Sequence, residues 1–483
     1  MMPDETRSVE PASAAGLHLD GSNGPLLRRA LGLPSAASIV VGTVIGSGVF
    51  LVPSAMIRNV GSVRELFAVW IVAGVLSLFG ALTYAELAAA MPEAGGEYVY
   101  LSEAYGPFWG YLYGWTQFWV AKSGSIATLA AGFYTYLSAF VPALAKPVFV
   151  TPFHIGPGGT LLEVRYGQLF AIGVILFLGV VNYLGVRSGG NLQVFVTVLK
   201  MALIGGVIVV GLGSGRGDWS HFSGSAPSVG GVAGFFAAMV SALWAYDGWN
   251  NVSMVSSEIR DPQRNLPRSL IWGTLAVIVT YLLVNIAYFY VLGPVEVAGS
   301  RRVASDMMAR LYGTGAAGAV TVAVLISIFA ALNGSILSGA RVPYAMARDG
   351  LFFKFQAYVH PQFRTPGNAV LSLCVWSCVV LLSGWYDDLY NFVIFGSWIL
   401  YLLTAISVFV LRIKRPTLGR PYRVIGYPVV PVLFIGMAAL LLVNTVLARP
   451  RESFMGLFVM AVSIPFYFYW RKGSPSKLFI PDS

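Results

Sequence analysis

The sequence predicts an all-α, polytopic membrane protein with twelve spanning helices. Three observations carry that expectation. Only 11% of the 483 residues are charged, 57% are hydrophobic and the mean hydropathy is +0.72, whereas an average soluble domain carries roughly 25% charge. Apolar runs near the ~20 residues a bilayer requires recur along the whole chain. Lys and Arg concentrate in alternate connections. This composition excludes an ordinary cytosolic enzyme, a disordered chain and a nucleic-acid-binding domain, and makes the lipid bilayer the chain's surroundings.

In chain order, residues 1–33 are polar and end on Arg28 and Arg29. No short apolar segment with a small-residue cleavage site precedes Ala36, so this stretch reads as a disordered cytoplasmic tail. The spans are expected at 36–57, 66–90, 106–141, 167–185, 190–213, 230–255, 268–293, 314–340, 368–384, 388–411, 428–447 and 453–470. Pro and Gly punctuate the connections, as at Pro92–Gly96, Pro262–Pro267, Pro361–Pro366 and Pro416–Pro421. The third run is long enough for one tilted helix or a helix plus an interfacial turn, with a bend expected at Ser123-Gly124-Ser125. Cys374 and Cys378, four residues apart in the ninth run, share a helix face and read as small packing residues. The Pro92–Tyr105 connection holds three acids and no base, and could meet basic connections as a cytoplasmic gate. With the N-terminus inside, inner segments hold 19 Lys and Arg and outer ones 10, leaving Lys122 and Lys200 within the runs. That bias places both termini in the cytoplasm and accounts for the net charge of +10 as topology.

Two features interrupt the apolar pattern. Charges in hydrocarbon are costly and tend to be functional; Glu86, Lys122, Lys200 and Asp247 are the candidates, with Glu86 also readable as an interfacial residue. The other feature is backbone. Gly42, Gly46 and Gly48 crowd the first run, and Asp247, Gly248, Asn250 and Asn251 crowd the sixth; all are poor helix continuations, although Gly42 and Gly46 also fit a close-packing GxxxG pair. Breaks in the first and sixth spans point to two inverted five-helix repeats with a site at the membrane midplane. A broken helix frees N–H groups for a carboxylate and carbonyls for an ammonium, a combination that suits an α-amino acid.

The motifs Gly42-Thr-Val-Ile-Gly-Ser-Gly-Val-Phe50, Tyr84-Ala-Glu-Leu87, Gly95-Gly-Glu-Tyr98, Ala245-Tyr-Asp-Gly-Trp-Asn250, Glu258 through Asn265-Leu-Pro267, and Asn333-Gly-Ser335 followed by Arg341 resemble the L-type amino acid transporter group of the amino acid–polyamine–organocation superfamily. The resemblance runs from about Pro34 to Phe468. It implies a leucine-transporter-like fold: repeats at 34–213 and 214–413, two further helices within 414–470, and a cytoplasmic tail at 471–483. It implies sodium-independent L-amino acid transport by alternating access, with exchange and neutral substrates favoured, in the cell membrane and with no cofactor. Val44, Ile45, Gly46, Ser47 and Gly48 would hold the substrate carboxylate. Trp244, Ala245, Tyr246, Asp247 and Gly248 would contribute carbonyls for the ammonium and the aromatic gate, for which Trp244 is larger than the Phe of several relatives. Phe395, Ser397 and Trp398 would face the substrate side chain. Lys200 matches a lysine that stands in for a bound sodium ion, with Gly42 carbonyls and Ser335 or Ser338 as expected partners.

Asp247 has two readings, a partner for a substrate's distal cation or an acceptor for the broken helix end. The resemblance also includes light chains bound to a partner through a cysteine between spans 3 and 4; residues 141–166 contain none, so no disulfide-linked heavy chain is expected, and the chain would act as a monomer or non-covalent oligomer. Alternatives are a proton-coupled amino acid or amine symporter using Glu86, Asp247 or Lys200, and an exchanger accepting cationic amino acids. A membrane enzyme or channel fits less well. The four histidines fall outside the runs, no metal-ligand pattern appears, and the breaks come as an inverted pair rather than as repeated pore loops.

Overall fold

The computed structural model describes residues 26–154, 161–384, 386–448 and 450–473. It is helical apart from one antiparallel hairpin, β1 (Pro147–His154) with β2 (Leu161–Arg165), between the third and fourth long helical segments. Among the described residues, eight helices are long and apolar enough to cross a bilayer, and one bent pair adds a ninth. Their outward side chains are apolar: Phe177, Phe195, Val209, Trp272, Val279 and Leu447 are all exposed. So large an apolar surface is stable against lipid and not against water.

The bent pair is α1 (Leu33–Val44) and α2 (Gly48–Val60), which meet at 41°. The residues between them leave the helical path because Ile45 turns extended, at φ −76° and ψ 90°. The long α3 (Val63–Ala90) follows, then α4 (Glu97–Tyr105) across one face of the bundle. The third run is α5 (Pro107–Thr116), a π-helical turn at Gln117–Ala121 and α6 (Lys122–Leu137). Its irregularity therefore lies just before Lys122, and the expected bend at Ser123–Ser125 is regular helix. The extra residue of a π turn re-aims the side chains after it, and such turns are frequent at functional sites. Next come α7 (Tyr166–Tyr183) and α8 (Val186–Gly213).

The sixth run is α9 (Gly231–Tyr246) and the short α10 (Asn251–Met254). Asp247 ends α9 by turning extended (ψ 148°), and Gly248 supplies a φ of +106° that L side chains rarely adopt. The seventh run, α11 (Pro262–Val291), starts earlier than expected. Pro262 sits in its first turn, where a missing N–H is harmless, so the Pro262–Pro267 stretch is helix and not connection. Two short helices, α12 (Pro294–Gly299) and α13 (Val303–Tyr312), lead to α14 (Thr314–Gly339) and α15 (Arg341–Arg348). The chain ends with α16 (Gly367–Ser383), α17 (Tyr386–Lys414), α18 (Val429–Ala448) and α19 (Pro450–Gly473). Cys374 and Cys378 are buried free thiols on α16, and Cys374 packs at Gly179, as expected of packing residues.

One face of the bundle is sealed by ion pairs and by the segment before α1. The backbone of Ala30 and Leu31 donates to the Glu258 carbonyl (2.9 Å each), and Arg260 donates to Leu31. Arg341 and Glu258, both fully buried, form a two-point pair at 2.7 and 3.0 Å. Glu86 accepts from Arg412 at 2.9 and 2.6 Å and lies 3.5 Å from Arg420. In the acidic connection Glu103 pairs with the basic Arg415 at 2.5 Å, the kind of contact expected, and Tyr98 donates to Asp349 at 2.6 Å. Glu97 departs from that pattern. It turns inward and accepts from Tyr113 (2.9 Å) and from Asn250, tying α4 to the break after α9.

Candidate functional site

The two breaks meet at the centre of the bundle. Thr43 donates to the Gly248 carbonyl at 2.9 Å, and a Cβ on Gly48 would lie 3.1 Å from that of Ala245, so glycine lets the two chains cross. Tyr281 on α11 reaches both partners, with its hydroxyl 3.1 Å from the Val44 carbonyl and 2.8 Å from that of Ala245. Around this crossing lies a cavity of about 730 Å³.

Val44, Gly46, Ser47, Gly48, Trp244, Ala245, Asp247, Gly248, Ser397 and Trp398 line the cavity. Ile45 and Tyr246, expected beside them, do not. Ile45 is fully buried with its carbonyl turned to Lys200, and the Tyr246 hydroxyl points to the Trp70 carbonyl at 3.3 Å. In a helix end, adjacent residues point to different sides, so a contiguous motif cannot all face one cavity. The side chain of Phe395 lies outside the described residues.

The electrostatics follow from the helix ends. The first N–H groups of α2 lack intrahelical partners and carry the positive end of its dipole; the last carbonyls of α9 carry the negative end. Both open on the cavity, one end suited to a carboxylate and the other to an ammonium. The third end, the C-terminus of α1, is occupied by the protein itself. The fully buried Lys200 ammonium donates to the Gly42 carbonyl (2.9 Å) and the Ile45 carbonyl (2.5 Å). The hydroxyl expected from α14 is neither Ser335 nor Ser338. Ser338 donates to its own helix, at the Gly334 carbonyl, and Ser335 lines the cavity. Ser327, two turns earlier, is the α14 hydroxyl that meets this end, donating to the Ile45 (2.9 Å) and Gly46 (3.1 Å) carbonyls. The level at which α14 crosses α1 decides this. Gly42 contributes in both expected ways: its carbonyl meets Lys200, and its missing side chain admits Gln193 and Thr197 of α8. A Cβ on Gly46, by contrast, would make only ordinary contacts.

Lys122 also reaches the site. It lines the cavity, donates to Asn251 Oδ1 at 2.6 Å and lies in Coulombic range of Asp247 and Glu97. Asp247 accepts from Tyr401 at 3.1 Å. Tyr281, Ser327 and Tyr401 escaped the sequence reading, and Asn251 was read only as part of the break. Lone Ser and Tyr residues in apolar helices carry no local signal, and only the packing register reveals them. No group of His, Cys, Asp and Glu among the described residues could hold a metal ion.

Residues 31–467 match the family of amino acid permeases. The mouse b(0,+)-type amino acid transporter 1 is 32% identical over 465 residues, covering 94% of this chain and 91% of its own. The serine/threonine exchanger SteT of Bacillus subtilis (strain 168) is 32% identical, covering 93% and 98%. The rat large neutral amino acids transporter small subunit 2 is 31% identical, covering 97% and 86%. With its paired helix breaks and nearly full-length similarity to these transporters, the chain belongs to the amino acid permease family, among the L-type transporters of the amino acid–polyamine–organocation superfamily.

Proposed function

We propose that the protein is a sodium-independent L-amino acid exchanger of the cell membrane, working by alternating access. The observation that carries this reading is the pairing of helix ends. The α2 N-terminus and the α9 C-terminus open on one cavity, and the cavity-lining residues come from both breaks. A substrate with a carboxylate and an ammonium one carbon apart satisfies both ends. The Lys200 ammonium supports sodium independence. It sits on carbonyls of the α1 end with Ser327 alongside, where a bound cation would otherwise neutralise that dipole. The relative named a serine/threonine exchanger supports exchange.

Neutral substrates are favoured by the charge balance of the cavity. Asp247 could attract a distal cation, but the Lys122 ammonium faces the same space and offsets it. Glu86 is an unsuitable proton carrier because two arginines hold it at the sealed face. The repeat reading, 34–213 and 214–413 followed by two helices, is supported by the packing. Helices in equivalent positions lie together, α3 with α11, α6 with α14 and α7 with α16, and the cross pairs α1–α11 and α9–α3 match each other. The bias of basic residues supports cytoplasmic termini. The sealed face is then the inner one, and the cavity, which extends to Arg301 and Arg302, opens outward. The cysteine-free segment 141–166 supports action without a disulfide-linked subunit.

A competition panel of the twenty common amino acids against one labelled substrate in proteoliposomes tests the reading. Strong competition by small neutral amino acids and weak competition by decarboxylated or N-acetylated analogues is expected. Equal competition by analogues lacking either charged group would contradict it.

A further inference from the structure

The mouth of the cavity holds polar groups that neither the helix breaks nor the sealed face uses. From the crossing of the breaks the cavity continues past Thr135, Tyr136 and Ser138 to Arg301 and Arg302. At about 730 Å³ it falls in the range that houses drug-sized ligands, ~300–1,000 Å³, and it has room beyond one small amino acid.

Tyr136 is 7% exposed, yet its hydroxyl has no hydrogen-bond partner. Tyr288, close enough to interact with it, is fully buried and also has an unpartnered hydroxyl. Buried hydroxyls are ordinarily satisfied, and an exception calls for an explanation such as an absent ligand. Arg301 and Arg302 are exposed at the start of α13, and among the described residues neither guanidinium is hydrogen-bonded or ion-paired. Arg302 lies in Coulombic range of the Tyr136 phenol. Two guanidinium groups, which only donate, and a phenol hydroxyl with its proton uncommitted together offer hydrogen-bond donors and positive charge, which fits a carboxylate. That is the group the α2 N-terminus would receive deeper in the same cavity.

We propose that Arg301, Arg302 and the Tyr136 hydroxyl form a staging subsite that takes the carboxylate of an incoming amino acid at the mouth and passes it to the helix breaks. The proposal rests on the reading of the central cavity as an amino acid site. Two positive charges at the mouth raise the local concentration of carboxylates and the rate of capture, an effect that salt weakens. They do nothing for the later change of access. The subsite therefore acts on KM and leaves Vmax alone.

The test uses the full-length chain in proteoliposomes, with the labelled amino acid that wild type exchanges fastest, in a salt series from low to physiological ionic strength. For R301Q/R302Q the KM is expected to rise about tenfold at low salt, with Vmax within about twofold and the salt dependence of KM flattened. R301K/R302K keeps the salt dependence. Y136F raises KM about threefold and leaves the salt dependence intact, since it removes a hydrogen bond and no charge. An unchanged KM in the glutamine double variant, or KM unchanged with Vmax reduced, would overturn the subsite while leaving the central site standing. A chloride requirement in wild type that the double variant loses would assign the cluster to an inorganic anion instead. No exchange of any amino acid by wild type would remove the central reading, and the subsite with it.

Discussion

Two buried lysines, 78 positions apart in sequence, divide the work of the core. Lys200 is fully buried, and its ammonium is held by the backbone carbonyls of Gly42 and Ile45. Lys122 is nearly as buried, but it faces the cavity, bonds a side chain (Asn251) and shares the space with Asp247. A lysine on a helix C-terminus neutralises a dipole and fixes the backbone of the break. A lysine among side chains in a cavity sets the charge that a substrate meets. Burial alone does not distinguish these roles; the kind of acceptor does.

The largest effect is expected at Lys200. K200A leaves the Gly42 carbonyl without its donor and the Ile45 carbonyl with Ser327 alone, at ~1–3 kcal/mol for an unsatisfied buried group, and exchange is expected to fall at least a hundredfold with a clear loss of thermal stability in detergent. Near-normal exchange at normal protein levels would remove Lys200 from the mechanism.

K122M tests the other half of the comparison. Neutral amino acid exchange should persist, while the preference for arginine or ornithine over neutral substrates rises about tenfold, equivalent to ~1.4 kcal/mol, because Asp247 loses its counter-charge. A matching drop for all substrates would make Lys122 a support for the break and not a selectivity residue.

S327A should cost less, ~1 kcal/mol for one neutral hydrogen bond to the break, read as a modest fall in thermal stability and a several-fold fall in exchange. S338A, whose hydroxyl bonds only its own helix, should have no effect; the reverse order would restore Ser338 to the lysine site.

The smallest effect is expected at the sealed face. Burial pushes the Asp349 carboxyl up to about 6, against the opposing effects of the Tyr98 hydroxyl and Arg348, with Glu93 and Glu103 adding to the rise. A carboxyl raised on folding contributes stability at low pH that is lost as pH climbs toward 6. The wild-type Tm should therefore fall slightly from pH 5 to pH 7, and D349N should flatten that slope. An unchanged slope in D349N would place the titrating group elsewhere.

The sequence made the breaks legible because their causes are local. Gly48 and Gly248 are needed where two backbones cross or turn, and Asp247 stops a helix in an apolar run. The Lys200–Gly42 contact was legible only through resemblance. Ser327 was not, because choosing among Ser327, Ser335 and Ser338 depends on the height at which two helices cross, which no spacing along α14 encodes. The π turn before Lys122 was hidden for a similar reason: its residues, Gln117–Ala121, are ordinary in a helix, and the surrounding packing imposes the extra residue. Glu97 read as a gate acid along with its neighbours and instead reaches Asn250, a contact between segments 153 residues apart.

The most direct test of the account is uptake of a labelled amino acid into proteoliposomes, loaded or not with unlabelled substrate, in sodium and in choline media, without a proton gradient. An amino acid held between the two helix ends as proposed, with Lys200 in place of a free cation, predicts uptake that depends on internal substrate and is equal in both media. Uptake that needs sodium or an imposed proton gradient, and ignores internal substrate, would contradict it.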